Sequence, residues 1–381
     1  MKKILIIINS IKKWGWAENV ATNIWNELYK KWYNINYFTF YNDKNNILIK
    51  WNYFSLNEKI SNNIAINIYK LIYRSYKIKK YCSKNNIDIC ISHLDEANFS
   101  NILSKVIFRN KSKIIIEIHN SIEKSLSNFY KFIYKMIINY TDKIISLTKE
   151  DIINFINILG AKKNKIINIY NPIDIKKITL LKEENVEEIE IFNNEFTFIN
   201  IWRLSNQKNQ ILLIKAFNQF NKLYKNTKLI ILWEWPLEKI LKKESEKNKN
   251  IIFLWNKNNP YKYLSKSNYL IMTSIYEWLP VVQIESLACN IPVISSNCKT
   301  WPKEILLNDF NNIKNKEVNK IINWDCWILF QNWNIKQLIK VMILAYNNKN
   351  ISKNMKTNIH NKVKLFQIEN IIKKWIKIIE E

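Results

Sequence analysis

The feature that most constrains the fold is an alternation of short apolar runs with amphipathic stretches, which occurs twice along the chain. Such alternation is typical of parallel sheets covered by helices on both faces, so the pattern predicts an α/β protein. In the first half it predicts strands at 3–8, 34–40, 87–92, 113–118 and 143–147, and helices at 17–31, 60–80, 122–140 and 149–159. In the second half it predicts strands at 196–201, 228–232, 250–254, 269–273 and 291–295, again separated by helices.

The chain length predicts two domains, because 381 residues exceed the usual span of one. We expect an N-terminal domain over 1–175, an acidic connection over 176–195 and a second domain over 196–355. A last helix, within 356–381, is expected to pack back on the N-terminal domain. The five cysteines include no C-x-x-C pair, which argues against a disulfide framework or a zinc site and favours the cytoplasm. No apolar run approaches the length of a membrane span, so we expect none.

The net charge of +27 raises two possibilities, a nucleic-acid partner and an anionic membrane surface. The lysines are spread through both halves and are interrupted by acidic patches, whereas a nucleic-acid site would gather them on one face. Overuse of Lys, Asn, Ile and Tyr indicates A/T-rich codons, and only Arg74, Arg109 and Arg203 are arginines. We therefore expect no nucleic-acid partner and retain a possible attraction to anionic lipid.

Glycine is almost missing from the chain. It occurs twice, at Gly15 and Gly160, whereas an average usage of about 7% would give roughly 27. Helix ends, tight turns and phosphate-binding loops of an α/β protein all draw on glycine, because it adopts positive φ and admits close approach of the backbone. Tryptophan, in contrast, occurs 15 times.

Two glutamates eight positions apart, Glu277 and Glu285, flank a predicted strand-to-helix connection. This connection places Glu277 and the N–H groups of the next helix at the carboxyl edge of the sheet, where doubly wound folds bind ligands. Free N–H groups at a helix start suit a phosphate. Alone, two such glutamates would more often be a surface pair, and the flanking motifs strengthen the functional interpretation.

Arg203 and Lys208 lie at the turn that follows the strand at 196–201. Arginine offers a planar fork for phosphate oxygens and lysine a compact charge, so a diphosphate would suit the pair. The alternative is two solvated charges, which for Lys208 alone would be the simpler interpretation. The scarcity of arginine favours a functional Arg203.

Together these segments resemble glycosyltransferase family 4, the retaining enzymes of the GT-B fold. The resemblance covers nearly the whole chain and is most specific in the second half. It is carried by Trp14-Gly15-Trp16-Ala17-Glu18, Trp202-Arg203-Leu204 with Lys208, Trp233-Glu234-Trp235-Pro236-Leu237, Glu277-Trp278-Leu279-Pro280 through Glu285, and Asn290-Ile-Pro-Val-Ile294. Cys298-Lys-Thr-Trp301-Pro302-Lys-Glu304 resembles a subgroup of which many members act on lipid-linked saccharides.

The resemblance implies two Rossmann-like domains that face a cleft. It implies retaining transfer of a sugar from a nucleotide diphospho-sugar, for which we expect a UDP-sugar, to a saccharide acceptor of the lipid-linked kind in cell-surface glycan biosynthesis. The enzyme would be cytoplasmic or peripheral on the inner face of the cytoplasmic membrane. No metal is expected, since basic side chains would neutralise the diphosphate and the chain offers no Asp-x-Asp cluster at a strand end.

The same resemblance suggests roles for individual residues. Glu277 would hold sugar hydroxyls, Arg203 and Lys208 would neutralise the leaving diphosphate, and Glu285 would accept hydrogen bonds from the ribose. His119 would contact the sugar from the other domain, although a capping or core histidine is an equal alternative. Further substrate-binding positions are Gly15, Trp16, Trp202, Leu279, Pro280 and Val281. We name no nucleophile, leave the role of His93 open, expect His360 to be solvated, and interpret Asp95 and Glu96 as loop charges facing the cleft.

The departures from the family share one form, in which tryptophan stands where the family has glycine. They fall at Trp14 or Trp16 and at Trp202, Trp233, Trp235, Trp255, Trp278 and Trp301, with Trp32 and Trp327 as further candidates. We interpret them as UGA codons that encode glycine and were translated as tryptophan. Genuine tryptophans there would fill the space of the phosphate. In a structure of the sequence as written, these indoles should crowd the site or stand exposed on turns.

Two other classes of protein remain as alternatives. One is a GT-B-like sugar-nucleotide epimerase or phosphorylase, of which the phosphorylase is disfavoured by the lack of a lysine motif for pyridoxal phosphate. The other is a basic nucleic-acid-binding protein, which predicts clustered basic residues with interleaved aromatic side chains.

Overall fold

The computed structural model contains two compact units, each formed around its own sheet. Unit 1 comprises Met1–Pro172 and Ile368–Glu381, and unit 2 comprises Ile173–Gln367. The structure describes residues 2–11, 16–41, 52–119, 122–123, 126–192, 195–202, 204–233, 238–255, 257–277, 280–298, 304, 321–324, 327–347 and 358–381. Among these residues, no helix has both the length and the apolar character needed to cross a bilayer.

Unit 1 is built on a parallel sheet in which the described strands follow the order β3-β2-β1-β4-β5-β6-β7. These strands are β1 Lys3–Ile8, β2 Asn34–Thr39, β3 Asn52–Ser55, β4 Ile89–His93, β5 Lys113–Glu117, β6 Lys143–Ser146 and β7 Ile166–Asn168. The helices are α1 Trp16–Lys30, α2 Ile64–Asn85, α3 Asp95–Val106, α4 Asn128–Ile137 and α5 Lys149–Asn157, together with the distant α12 Ile368–Glu380. Ile4 to Ile8 are all buried, which explains why β1 is a continuous aliphatic run and does not alternate with polar residues.

Unit 2 contains a second sheet in the order β10-β9-β8-β11-β12-β14-β13, where only the β13–β14 pair is antiparallel among the described strands. The strands are β8 Phe196–Ile201, β9 Thr227–Trp233, β10 Ile251–Trp255, β11 Tyr269–Met272, β12 Val293–Ser296, β13 Ile322–Trp324 and β14 Trp327–Phe330. The helices are α6 Ile175–Leu181, α7 Gln210–Leu223, α8 Glu238–Ser245, α9 Tyr261–Lys266, α10 Val281–Ala288 and α11 Ile335–Asn347. The predicted class, two α/β units with parallel sheets, is confirmed.

The structure corrects the expectation for Asp95 and Glu96. Both residues lie in the first turn of α3, a helix that the sequence pattern did not predict, and neither is a loop charge. Arg74 donates to Glu96 at 2.8 Å and the Tyr134 hydroxyl donates to Asp95 at 3.0 Å. Carboxylates suit this position because the N-terminus of a helix carries partial positive charge.

The acidic segment expected to connect the domains belongs to unit 2. Glu187 forms an ion pair with Lys262 at 2.7 Å, and Glu188 forms one with Lys257 at 2.6 Å. The last helix, α12, belongs to unit 1, where Trp375 contacts Trp25 with ring centroids 4.9 Å apart.

Two tryptophans adopt a backbone conformation that favours glycine. Trp32 has φ +69° immediately after α1, and Trp333 has φ +63°. At Trp32 the chain forms a Schellman motif, in which Tyr33 N–H donates to Leu28 C=O at 3.3 Å. Gly160, just beyond α5, has the same φ of +69°. The indoles of Trp32 and Trp333 are 80% and 59% exposed, so packing does not account for tryptophan at these two turns.

Candidate functional site

A buried ion pair lies beyond the carboxyl ends of β8 and β11 in unit 2. Lys208 follows β8 in a short 3₁₀ turn, Asn206–Lys208, and Glu277 follows β11. The Lys208 Nζ atom lies 2.6 and 2.7 Å from the two carboxylate oxygens of Glu277. Ser274 Oγ also donates to Glu277, which leaves both charged groups inside a hydrogen-bonded cluster with about 5% exposure. Two residues predicted separately from the sequence are therefore direct partners.

The loops that carry this pair are tied together through the backbone. Thr273 Oγ1 donates to the carbonyl oxygens of Lys208 at 2.9 Å and Asn209 at 3.0 Å. Ile275 N–H donates to the Gln207 carbonyl at 2.8 Å. These bonds hold Lys208 and Glu277 in a defined geometry, which a site that recognises charge requires.

The indole of Trp202 lies against the ammonium group of Lys208. The Lys208 Nζ atom is 3.6 Å from the centroid of the Trp202 ring, a close cation–π contact, and Trp202 is half-buried. A phosphate approaching Lys208 from this side would meet the indole. The arrangement agrees with the expected crowding of the site by tryptophan.

Glu285 lies within α10 and is partly buried. Its Oε1 atom accepts a hydrogen bond of 2.8 Å from the Tyr261 hydroxyl, at the start of α9. Burial raises the pKa of the Glu285 carboxyl, although the hydrogen bond from Tyr261 opposes the shift. Burial, followed by the charge of Glu285, raises the pKa of Tyr261. No sequence motif indicates a role for Tyr261, because nothing in a lone tyrosine after Pro260 links it to a helix further along the chain.

The structure describes only some of the other residues that the sequence predicted for the site or as glycine positions. Pro280 is buried and precedes Val281, the partly exposed first residue of α10. Gly15, Arg203 and Leu279 lie outside the described residues, as do Trp14, Trp235, Trp278 and Trp301. Trp16 begins α1, and its side chain is outside the described part of the structure, as are those of Trp233, Trp255 and Trp327.

Cys298, from the Cys-Lys-Thr motif, is 1% exposed. Burial, assisted by the negative charge of Glu277, raises the pKa of its thiol to about 12. A buried thiol with a raised pKa is protonated at neutral pH, which argues against a thiolate nucleophile at this position.

A second cluster lies at the carboxyl edge of the sheet in unit 1. His93 and Glu117 are register partners at the ends of the neighbouring strands β4 and β5, and His119 follows two residues later. The His93 Nδ1 atom is 3.2 Å from His119 Nε2 and 3.0 Å from Glu117 Oε2. The sequence predicts a role for His119, leaves that of His93 open and predicts none for Glu117, although a carboxylate inside the aliphatic run Ile114–Ile118 is an available signal.

Burial and the charges of neighbouring groups oppose each other in this cluster. Desolvation lowers the pKa of His119 to about 4, although the charge of Glu117 opposes the shift. Burial acts to raise the pKa of Glu117, but the neighbouring imidazoles outweigh it and the net pKa lies below its ordinary value. His119 is therefore neutral near pH 7.

The two histidines and the glutamate could in principle hold a cation, since their nearest ligand atoms all lie within 4.8 Å of one another. One contact opposes this. The Trp25 indole N–H lies 3.1 Å from His93 Nε2, which must therefore be an acceptor. A cation bound at His93 Nδ1 would require hydrogen on Nε2, and two N–H groups would then face each other. The cluster fits a hydrogen-bonded network better than a metal centre.

Comparison with known proteins supports the fold and shows the family of the chain. Residues 182–362 match the family model described as glycosyl transferases group 1. An uncharacterized glycosyltransferase of Methanocaldococcus jannaschii is 33% identical over 93% of this chain and 94% of its own length. A Campylobacter jejuni N-acetylgalactosamine-N,N'-diacetylbacillosaminyl-diphospho-undecaprenol 4-alpha-N-acetylgalactosaminyltransferase is 28% identical over 66% of this chain and 69% of its own.

Among solved structures, the crystal structure of Anabaena HepE in complex with UDP has a TM-score of 0.75, with 15% identity over 99% of each chain. Further crystal structures of HepE contain UDP-glucose, or UDP and glucose. The two parallel-sheet units define a protein of the GT-B class, and the chain is a glycosyltransferase. It belongs to the glycosyl transferases group 1 family.

Proposed function

We propose that this glycosyltransferase moves a sugar from a UDP-sugar to a lipid-linked saccharide, with retention of anomeric configuration, in the synthesis of a cell-surface glycan. The observation that carries the proposal is the buried pair of Lys208 and Glu277 at the carboxyl edge of the unit 2 sheet. Support also comes from HepE, which binds UDP and UDP-glucose, and from the Campylobacter relative, whose name specifies a diphospho-undecaprenol substrate.

The ion pair suits a nucleotide-sugar because it offers two opposite charges in fixed positions. Lys208 would neutralise charge on the diphosphate as it leaves, and Glu277 would accept hydrogen bonds from sugar hydroxyls. Without ligand the two groups satisfy each other, which limits the cost of burying either charge. Arg203 would supply the second positive charge and Glu285 would bind the ribose. This assignment requires no metal ion to stabilise the leaving group.

A UDP-release assay over a panel of UDP-sugars tests the proposed reaction. Glu277→Gln keeps the size of the side chain and removes its charge, so turnover should fall strongly, by about 10²–10³-fold. The matched control is Glu244→Gln, an exposed residue on α8, which should behave as wild type. Wild-type protein that releases no UDP from any sugar donor would contradict the proposal.

The test of Lys208 needs a different set of variants, because removal of the lysine breaks its ion pair with the buried Glu277. Breaking a buried pair costs about 3–5 kcal/mol of stability, so Lys208→Met alone could act by unfolding unit 2. The double variant Lys208→Met/Glu277→Gln removes both charges and should restore folding without restoring turnover. Lys215→Met, at an exposed position on α7, is the control. Recovery of activity in the double variant would place the diphosphate elsewhere.

The retention of configuration has its own measurement. Product formed from an α-linked UDP-sugar should show the small anomeric proton coupling of an α-glycoside in NMR spectra. A β-linked product would contradict a retaining mechanism and leave the UDP-sugar assignment unaffected.

An apolar stripe on α4 supports the proposals of a lipid-linked acceptor and of attachment to a membrane surface. Phe129, Phe132 and Met136 share one face of this helix and are 62–64% exposed, with Lys131 and Lys135 on the same helix. Exposed aromatic and lysine side chains on an amphipathic helix are typical of attachment to an anionic bilayer. We therefore propose peripheral attachment to the membrane through unit 1.

Co-sedimentation with phosphatidylglycerol vesicles tests this attachment. Binding should fall as salt screens the lysines, and Phe129→Ser/Phe132→Ser should reduce it at every salt concentration. The matched control is Leu223→Ser in unit 2, another exposed apolar residue. A double variant that binds vesicles like wild type would exclude α4 as the contact.

A further inference from the structure

Two cysteines of unit 1 meet in a contact that the proposed function does not use. Cys82 lies in the last turn of α2 and Cys90 lies within β4, and the two side chains are 3% and 0% exposed. Their Sγ atoms are 3.2 Å apart. Seven residues separate them in the sequence, so no C-x-x-C motif predicts the contact. The fold brings the two thiols together.

A polar side chain faces both sulfur atoms. Asn110 is 5% exposed, and its Nδ2 atom lies 3.6 Å from Cys82 Sγ and 3.8 Å from Cys90 Sγ. The amide is held in this direction because its Oδ1 atom accepts a hydrogen bond of 3.2 Å from Ser112 N–H. Nδ2 also donates to Ser104 Oγ at 3.1 Å. Cysteines that only fill an apolar core need no such donor, whereas an N–H group directed at sulfur favours the thiolate, the reactive form.

The two thiols differ in their surroundings. The hydrogen bond with Cys90 lowers the pKa of Cys82, although burial opposes the shift, and burial raises the pKa of Cys90. Cys82 also lies near a helix end, where local opening costs least, whereas Cys90 is held between Leu5 and Ile114 in the sheet. Cys82 is therefore the thiol that meets a reagent first, and Cys90 is placed to react with it.

We propose that Cys82 and Cys90 form a reversible modification site, at which a peroxide oxidises the two thiols to a disulfide that ties α2 to β4. In the first step the Cys82 thiolate attacks hydrogen peroxide. An S–O bond forms, the O–O bond breaks, and the leaving hydroxide takes up the proton that Cys82 lost. Cys90 Sγ then attacks Cys82 Sγ, so that the S–S bond forms and the S–O bond breaks. The hydroxyl group leaves with the proton of Cys90. The two thiols lose two electrons, and one peroxide becomes two molecules of water.

The reaction requires little movement of the chain. The two sulfur atoms, now 3.2 Å apart, must approach by about 1.2 Å to reach the length of an S–S bond. Both cysteines are free thiols in this structure, and disulfides in a reducing compartment are mostly transient or redox-sensing. The site lies entirely within unit 1 and is independent of the sugar donor and the acceptor.

Peptide mass spectrometry tests the site directly. Trypsin cleaves after Lys84, between Cys82 and Cys90, so the two cysteines fall in different peptides. The folded protein is treated with hydrogen peroxide, its free thiols are blocked, and it is then digested. We expect the two peptides to be joined, with a mass lower than their sum by two hydrogen atoms. Reduction with dithiothreitol before digestion should separate them.

Cys289 and Cys298 of unit 2 are internal controls, since they are 4% and 1% exposed and burial raises the pKa of each to about 12. Their thiols should remain free under the same treatment, and Cys289→Ser should leave the cross-link unchanged. Cys90→Ser removes the second thiol, so peroxide should leave a sulfenic acid on Cys82 that dimedone captures.

Urea unfolding separates this site from oxidative damage. The disulfide should raise the urea midpoint of the oxidised protein, because it restricts the unfolded chain, and dithiothreitol should restore the midpoint of the reduced protein. Peroxide should cause no such rise in Cys82→Ser.

Three results would overturn the proposal. The first is folded protein in which Cys82 and Cys90 both remain free after peroxide treatment. The second is a cross-link that forms only in urea, and the third is equal oxidation of Cys289 and Cys298. Either of the last two would attribute the reaction to unfolded chains and not to the contact in the folded unit.

Discussion

Trp32 offers a direct test of whether tryptophan occupies a glycine position. An L-residue held at positive φ costs about 1–2 kcal/mol, and glycine avoids this cost. Glycine in turn loses about 0.4–1 kcal/mol more backbone entropy on folding than alanine. Trp32→Gly and Trp32→Ala both remove the indole, so the difference between them isolates the backbone. With φ at +69°, we expect the Gly variant to be about 1 kcal/mol more stable than the Ala variant.

Two further positions serve as controls, because the sign of the stability difference between Gly and Ala is known at each. Gly160 shares the φ of +69° and has no atom within 4 Å of a built Cβ, so Gly160→Ala should cost about 1 kcal/mol for conformational reasons alone. Trp25, buried inside the same helix that Trp32 terminates, should show the opposite order. There the Ala variant should be more stable than the Gly variant by about 1 kcal/mol, the usual difference within a helix.

Urea unfolding followed by circular dichroism measures all three pairs. The free-energy differences come from the shift in midpoint at constant slope. A Trp32→Gly variant no more stable than Trp32→Ala would refute the argument that this turn requires glycine. It would also weaken the interpretation of the other tryptophans as glycine.

The remaining predictions concern unit 2. Glu285→Gln should weaken UDP binding in calorimetry more than it alters sugar preference, and Glu277→Gln should do the reverse; equal effects would contradict the division of roles. Because burial raises the folded-state pKa of Glu285, its contribution to stability is present below its unfolded pKa and is lost as pH rises through the folded value. Glu285→Gln should therefore gain stability over wild type at pH 8 and gain less at pH 5, and a pH-independent difference would refute this. Trp202→Gly should strengthen UDP binding while Trp32→Gly leaves it unchanged, and weaker binding would show that the indole belongs in the site. Arg203→Ala should lower kcat/KM by about 10²–10³-fold, and normal turnover would exclude it from the diphosphate site.

The sequence predicted the strands that are buried on both faces. β1 and β8 were found within a residue because continuous aliphatic runs have few other interpretations. α3 was missed because four of its buried residues are polar, and they interrupt the apolar pattern of Ala97, Phe99 and Ile102. Asn98 donates to the Glu117 carbonyl and Asn101 donates to Ser92, so side chains that usually face water point inward and mask the helical period.

Prediction of the candidate site from the sequence has the same limit. Lys208 and Glu277 could each be recognised from local motifs, but their pairing joins positions 69 residues apart and depends on how the two loops meet. Tyr261 and Trp25 act through single hydrogen bonds to Glu285 and His93. Neither periodicity nor spacing in the sequence predicts such contacts, because they form only where the folded sheet brings its strand ends close together.

The placement of α12 has a consequence for the order in which the protein is made. Unit 1 consists of Met1–Pro172 and Ile368–Glu381, so the whole of unit 2 is synthesised between its two parts. At about 5–20 residues per second, the 350 residues from Trp25 to Trp375 take roughly 18–70 seconds to synthesise, and Trp25 lacks its partner for that time. Unit 2 is complete before the segment that completes unit 1 has emerged. The N-terminal half of this chain is therefore translated first and finished last, and a nascent chain that stalls before α12 would carry a completed unit 2 and an open aromatic core in unit 1.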